Sequence, residues 1–86
     1  MSRYQKLIKR FLGKPKDFTY GELVTLLQGF GYKEVKVGKT SGSRAAFFNE
    51  KSKNIIRLHK PHPSNVLKRY QMNDVEQELK QKGFLP

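Results

Sequence analysis

The chain contains no cysteine. A disulfide framework, a thiolate zinc site and a cysteine nucleophile are therefore excluded, and a reducing compartment is favoured, so we expect a cytoplasmic protein. Apolar runs are also short. None approaches the roughly 18 residues that a membrane-spanning helix needs, and the N-terminus lacks the apolar centre of a signal peptide. We therefore expect neither membrane insertion nor export.

Acidic residues are scarce. Seven Asp and Glu stand against 18 Lys and Arg, which gives a net charge of +11 over 86 residues. The first half carries nine basic and three acidic residues and the second half nine and four, so the folded body itself must be basic. This charge balance is typical of proteins that bind polyanions. At this length we expect residues 1–86 to form a single domain.

Motifs for nucleotide hydrolysis and metal binding are missing from the sequence. The stretch Gly38-Lys39-Thr40 lacks the preceding glycine-rich loop and the following helix of a P-loop, and no spacing of ligand residues suits a metal ion. We therefore expect neither a metal nor a small-molecule cofactor.

Hydrophobic periodicity predicts two helices in the first third of the chain. Apolar residues recur at helical spacing over residues 4–12, and a Gly and a Pro within residues 13–17 predict the loop that follows. Thr19, with Glu22 three positions later, forms a capping-box pattern at the start of a second helix. Gly31 suits the end of that helix because glycine tolerates a positive φ angle.

Beyond Gly31 the hydrophobic period changes to two. Val35 and Val37 alternate with charged residues, which predicts a first strand that ends at Gly38. Two further strands are predicted at residues 44–48 and 54–59, joined by a polar turn into a β-hairpin.

The last part of the chain is predicted to return to helix. One or two helical turns are expected within residues 64–70, and a C-terminal helix is expected over residues 74–82. There Asn73 and Glu76 repeat the capping pattern, and Gly83 suits the C-terminus. The predicted fold is therefore α+β in the order α-α-β-β-β-α, a three-stranded antiparallel sheet with helices packed on one face.

The predicted hairpin sorts side chains onto two faces. If Asn49 pairs with Asn54 around a four-residue loop, Arg44 lies opposite His59. Because side chains alternate along a strand, the two strands then divide into two sets. The apolar set is expected to face the helices: Ala45, Phe47, Ile56 and Leu58. The other set is expected to face away from them: Arg44, Ala46, Phe48, Ile55, Arg57 and His59.

The second set has a basic end and an apolar end. Arg44, Arg57 and His59 are suited to a phosphate site because arginine donates two parallel hydrogen bonds and histidine both accepts and donates a proton near neutral pH. The alternative is a solvated basic surface without a specific ligand. Phe48 and Ile55 are expected to serve packing or contact with a partner rather than base stacking.

Four short stretches, taken in chain order, form a family-like pattern. They are Leu26-Leu27-Gln28-Gly29-Phe30-Gly31-Tyr32, then Gly42-Ser43 before the second strand, Arg57-Leu58-His59 at the end of the third, and Leu79-Lys80-Gln81-Lys82-Gly83-Phe84. Over residues 18–85 this order resembles the HicA toxin family of bacterial type II toxin–antitoxin modules. The resemblance implies a fold like that of double-stranded-RNA-binding domains, an endoribonuclease that cleaves mRNA without a metal, and neutralisation by a HicB antitoxin.

One position departs from the family pattern. The family has Gly-Ser-His-His, with a catalytic first histidine, where this chain has Gly42-Ser43-Arg44-Ala45. A guanidinium stays protonated in proteins, so Arg44 can hold and stabilise a phosphate but cannot act as a base. The second histidine of the family matches His59, which is the first candidate for proton transfer. His62 is the second candidate.

Further polar and basic residues are candidates for contact with the RNA backbone. The RNA-binding candidates are Lys39, Ser43, Arg57, Lys60, Lys68 and Arg69. Two alternatives remain open beside the toxin. One is an RNA-binding module that kept the fold and lost cleavage with the first histidine. The other is a basic domain whose main ligand is an acidic partner protein, bound through Phe48 and Ile55.

Overall fold

The computed structural model describes residues 2–35 and 44–86, and in them three helices and three strands follow the predicted order. The elements are α1 Arg3–Leu12, α2 Tyr20–Gly29, β1 Tyr32–Val35, β2 Arg44–Asn49, β3 Asn54–His59 and α3 Arg69–Gln81. The predicted α+β class and the order α-α-β-β-β-α are confirmed. Within the described ranges no helix combines the length and the apolar character that crossing a membrane requires. The predicted strand end at Gly38 lies outside the described residues.

Capping boxes begin both N-terminal helices. At α1, Ser2 Oγ accepts a hydrogen bond from the Gln5 backbone nitrogen at 3.1 Å, and Gln5 Oε1 accepts one from the Ser2 nitrogen at 3.3 Å. At α2, the predicted pair does the same: the Glu22 nitrogen donates to Thr19 Oγ1 at 3.1 Å and the Thr19 nitrogen to Glu22 Oε1 at 2.9 Å. Gly31 follows α2 with φ of 97°, as predicted.

α1 is held against α2 through the Tyr4 side chain. The Tyr4 hydroxyl donates a hydrogen bond to the Leu26 carbonyl at 2.9 Å, and its ring meets Phe30 edge-on with 5.6 Å between centroids. Gly29 leaves the space that the Tyr4 ring occupies, because a Cβ atom at this position would overlap the ring. This close approach explains why a glycine is tolerated in the last turn of the helix.

The sheet is antiparallel in the order β1-β2-β3, and the register between β2 and β3 is the predicted one. Asn49 pairs with Asn54, and Arg44 pairs with His59. The set of side chains predicted to face the helices packs in the core. The largest core contributions come from Phe47 and Ile56 on the sheet, Leu23, Leu26 and Leu27 on α2, and Met72, Val75 and Leu79 on α3.

The start of the last helix was predicted wrongly. α3 begins at Arg69, five residues before the predicted start, and Asn73 lies inside it rather than at its cap. The Lys68 nitrogen before the helix donates to Gln71 Oε1 at 3.0 Å, so a glutamine side chain satisfies this end. The buried face of the helix already includes Met72, which lies on the core side of the first turn.

Residues 64–68 were predicted to be helical but are not part of a helix. They run beside the segment that precedes α2: the Tyr20 nitrogen donates to the Asn65 carbonyl at 2.8 Å, and the Leu67 nitrogen donates to the Phe18 carbonyl at 2.8 Å. Leu67 is buried in the core. Backbone hydrogen bonds to another segment, together with burial of Leu67, satisfy this stretch without a helical turn.

Candidate nucleic-acid interface

One face of the sheet lies outside the core. Directly paired residues of an antiparallel sheet point to the same side, so the register assigns eight side chains to this face, here called the open face. The open face consists of Lys33, Val35, Arg44, Ala46, Phe48, Ile55, Arg57 and His59. None of the eight belongs to the core cluster formed by the described residues.

The open face is arranged in three rows across the strands. The first, the His59 row, pairs Arg44 with His59. The second, the Arg57 row, contains Val35, Ala46 and Arg57. The third, the Phe48 row, contains Lys33, Phe48 and Ile55. Every row therefore carries at least one basic side chain.

The open face carries no acidic side chain, and its basic side chains are exposed. In residues 2–35 and 44–86 the ion pairs lie elsewhere, on Arg10, Lys14 and Lys80 with Asp17, Glu22 and Glu76. Asp17, Glu22 and Glu76 are thus taken up by ion pairs, whereas Asp74 and Glu78 of α3 line a depression together with Arg57 and His59. In the described ranges, no group of three or more His, Asp and Glu is arranged to hold a metal ion.

Arg44 and His59 are direct cross-strand neighbours at the end of the hairpin. Residues paired in this way have Cβ atoms about 4.5–5.5 Å apart, and the diagonal neighbour Arg57 is about 7–8 Å from Arg44. All three side chains line one open depression, together with Ala45 and Leu58. A phosphate placed in this depression lies within reach of two guanidinium groups and one imidazole.

Gln71 fixes the backbone at the end of β3. Its Nε2 donates a hydrogen bond to the His59 carbonyl at 2.8 Å, and the side chain is buried, with 6% of the residue exposed. Together with its bond from Lys68, this side chain joins the last residue of β3 to the start of α3. Sequence reasoning missed Gln71. A glutamine three positions after Lys68 is half of a capping-box pattern, but it signals a helix start only once the start is placed at Arg69.

The other predicted site residues are not among the eight of the open face, and two of them lie outside the described residues. Lys60 Nζ lies 5.8 Å from the centre of the Tyr20 ring, and Tyr20 packs on Phe47, so Lys60 is on the helix side of the sheet. His62 is exposed in the loop after β3, and Lys68 and Arg69 are exposed at the start of α3. The candidates Lys39 and Ser43 lie outside the described residues.

The apolar side chains of the open face are not equally accessible. Ala46 has no exposed surface, because its small side chain lies between its larger cross-strand neighbours Val35 and Arg57. Phe48 and Ile55, expected to be exposed, are half-buried. Val35 is 36% exposed. The apolar side chains of the open face are therefore mostly buried or half-buried, whereas its basic side chains are exposed.

The chain matches no family model, no curated protein and no solved structure.

Proposed function

We propose that this protein is a HicA-like toxin, a small cytoplasmic domain that binds and cleaves mRNA and is neutralised by a HicB-like antitoxin. The observation that supports it best is the pairing of Arg44 with His59 on a basic face without an acidic side chain. Such a face attracts a polyanion and presents a proton-transfer group beside a phosphate ligand. We propose mRNA as the substrate and an antitoxin as the partner because the short motifs resemble the HicA family.

Cleavage of RNA without a metal uses the 2′-hydroxyl of the substrate as its nucleophile. The 2′-oxygen forms a bond to phosphorus while the bond between phosphorus and the 5′-oxygen breaks, which leaves a 2′,3′-cyclic phosphate. A base takes the proton of the 2′-hydroxyl, an acid gives a proton to the 5′-oxygen, and positive charge stabilises the phosphate as its negative charge increases.

The open face supplies groups for these roles. His59 is exposed at the end of β3, and an imidazole can perform either proton transfer near neutral pH. Arg44, directly opposite, can bind the non-bridging oxygens of the same phosphate in a bidentate manner. Arg57, on the diagonal, adds a second cation. His62, three residues beyond the strand, is the second candidate for proton transfer.

A second function is an RNA-binding module that does not cleave. The observation in its favour is Arg44, which stands where the family pattern has its first histidine. His59 is then the single histidine on the open face, and one of the two proton transfers falls to water or to His62. RNA binding depends on the cations, so it survives the replacement of that histidine by Arg44. The rate of cleavage, in contrast, depends on the histidine that is missing.

Incubation of the purified protein with a long single-stranded RNA in EDTA tests the proposal. A HicA-like nuclease yields fragments that end in a 2′,3′-cyclic phosphate or its 3′-phosphate hydrolysis product. RNA that stays intact but is retarded on a native gel contradicts the nuclease and supports the binding module. RNA that is neither cut nor bound at low salt contradicts both the nuclease and the binding module. The remaining alternative is then an acidic partner protein as the main ligand.

The antitoxin has a separate test in the neighbouring gene. A small acidic open reading frame with a DNA-binding motif, whose product forms a complex with this protein, is the expected result. A neighbouring product that does not bind the protein contradicts the toxin–antitoxin pairing without affecting the chemistry of the open face.

A further inference from the structure

Phe48 is unusual among the phenylalanines of this protein. The chain has six phenylalanines, and all six lie in the described ranges. Five of them pack in or against the core and pair with another ring: Phe11, Phe18, Phe30, Phe47 and Phe84. Phe48 does neither, and points instead from the open face. Packing of the core therefore does not account for an aromatic residue at this position.

The neighbours of Phe48 define what it can bind. Lys33 lies directly across from it on β1, and Ile55 lies across from it on β3. Two rows of the face lie two residues apart along a strand, or about 7 Å, so the Phe48 row is about 13 Å from the His59 row. The face thus presents an aromatic ring beside a cation at one end and the Arg44–His59 pair at the other.

This pattern matches the chemistry of an unpaired nucleic-acid strand. A single strand offers alternating phosphates and flat bases, and every base can stack on an aromatic side chain while its phosphates meet Lys and Arg. An RNA duplex keeps its bases stacked inside and shows only their edges and its 2′-hydroxyls in a shallow groove. A flat face with a ring at its surface therefore favours the single strand.

We infer that Phe48 is a stacking platform for an unpaired base and that Lys33 binds an adjoining phosphate, so that the open face selects single-stranded over double-stranded RNA and directs the strand to Arg44 and His59. The inference rests on the proposed function for the RNA ligand. To that function it adds a site for one base and a preference for single-stranded over double-stranded RNA. It also replaces the sequence-based expectation that Phe48 serves packing or a partner protein.

Equilibrium binding of a fluorescent 2′-O-methyl oligonucleotide, followed by anisotropy, tests the subsite without cleavage. Methylation removes the nucleophile, so the unmodified protein can be used. The single strand is expected to bind more tightly than the blunt duplex of the same sequence. Phe48→Ala is expected to weaken binding of the single strand about 5- to 140-fold, the usual value of one stacked base. Phe48→Tyr, which keeps the ring, is expected to bind the single strand with nearly the affinity of the unmodified protein.

Two further variants separate stacking from other effects. Leu12, the last residue of α1, is 38% exposed, so Leu12→Ala removes an accessible apolar side chain outside the sheet and is expected to leave affinity unchanged. Lys33 is exposed, so Lys33→Gln tests the same row without disturbing a packed side chain. Its expected effect is a decrease of about 0.7 in the slope of log K against log salt for a single strand. Circular dichroism and thermal melting check that the Phe48 variants are folded.

The outcomes distinguish this inference from the proposed function. If no RNA binds at low salt, the proposed function itself is wrong, and the stacking subsite with it. If the single strand binds but folded Phe48→Ala and Lys33→Gln bind it as the unmodified protein does, only the subsite is wrong, and the row is left to a protein partner. Equal affinity for single strand and duplex likewise overturns the inference and leaves the nuclease proposal standing. Weaker binding of the single strand by Phe48→Ala, together with unchanged binding by Phe48→Tyr, supports the stacking subsite.

Discussion

Gln71, in the first turn of α3, donates a hydrogen bond of 2.8 Å to the carbonyl of His59, the last residue of β3. The same buried side chain accepts a hydrogen bond of 3.0 Å from the Lys68 nitrogen. A proton-transfer candidate at the end of an edge strand is thereby held by a helix on the opposite face. The position of His59 depends on this connection as well as on its pairing with Arg44.

Replacement of Gln71 by methionine is expected to destabilise the protein. The change keeps the volume of the side chain but leaves the His59 carbonyl and the Lys68 nitrogen without this partner. The free energy of unfolding is expected to fall by about 1–3 kcal/mol, measured by urea denaturation. Gln77→Met, on the exposed side of the same helix, is the control. Equal effects of the two changes would show that these two part-buried hydrogen bonds contribute nothing specific to stability.

Two glycines of α2 are expected to respond to alanine with opposite sign. At Gly29 a Cβ atom overlaps the Tyr4 ring, so Gly29→Ala displaces Tyr4 and is expected to lower the free energy of unfolding by about 1–3 kcal/mol. At Gly21 the nearest atom, Thr19 Oγ1, is 3.9 Å away, and alanine is expected to stabilise by about 0.5–1 kcal/mol. Thermal melts of both variants measure this. Stabilisation by Gly29→Ala would contradict the described contact between α1 and α2.

Stability is expected to fall in acid, partly through Glu22. The hydrogen bond from Arg10 lowers the pKa of Glu22 in the folded protein below its ordinary value of 4.5. Between the lowered and the ordinary pKa the unfolded chain binds more protons, so this contribution is complete above about pH 5 and is lost as the pH falls through the folded pKa. Urea midpoints from pH 7 to pH 3 measure the loss.

Glu22→Gln is expected to reduce stability at pH 7 and to make its decline in acid less steep. Glu50→Gln, in the exposed hairpin turn, is the control and is expected to leave the pH profile unchanged. An unaltered profile in Glu22→Gln would remove the pair with Arg10 from the account of acid stability.

The salt dependence of RNA binding is expected to report on the cations of the open face. Arg44→Gln and Arg57→Gln should each reduce the slope of log K against log salt by about 0.7 for a single strand, because each removes one phosphate contact. Lys9→Gln, exposed on α1, is the matched control and should leave the slope unchanged. Titrations of the 2′-O-methyl strand at several salt concentrations provide the slopes. Equal decreases in all three variants would indicate binding by net charge alone.

The hairpin of β2 and β3 and its two faces could be predicted from the sequence. The two strand runs have complementary alternation, and a slip of one residue would have turned Phe47 and Ile56 to solvent, so burial specifies a single register. That register already places Arg44 opposite His59. The capping box of α2 was an equally local signal, since Thr19 and Glu22, three residues apart, satisfy the first turn of the helix.

The remaining features depend on tertiary contacts. The spacing of Asn73 and Glu76 imitates a helix start, but burial of Met72 and the two hydrogen bonds of Gln71 extend α3 to Arg69. Residues 64–68 are not helical because Phe18 and Tyr20, distant in sequence, provide their backbone partners. The burial of Ala46 likewise follows from which larger side chains lie across from it on β1 and β3.

The most direct test of the account is the single-turnover rate of RNA cleavage in EDTA by His59→Gln, measured beside His62→Gln and with binding of the 2′-O-methyl strand determined for each. If His59 transfers a proton, His59→Gln cuts about 10²- to 10⁴-fold more slowly at nearly unchanged affinity, and the rate of His62→Gln shows whether the second proton transfer uses His62 or water. Cleavage by His59→Gln at the rate of the unmodified protein would contradict the assignment of catalysis to the Arg44–His59 pair.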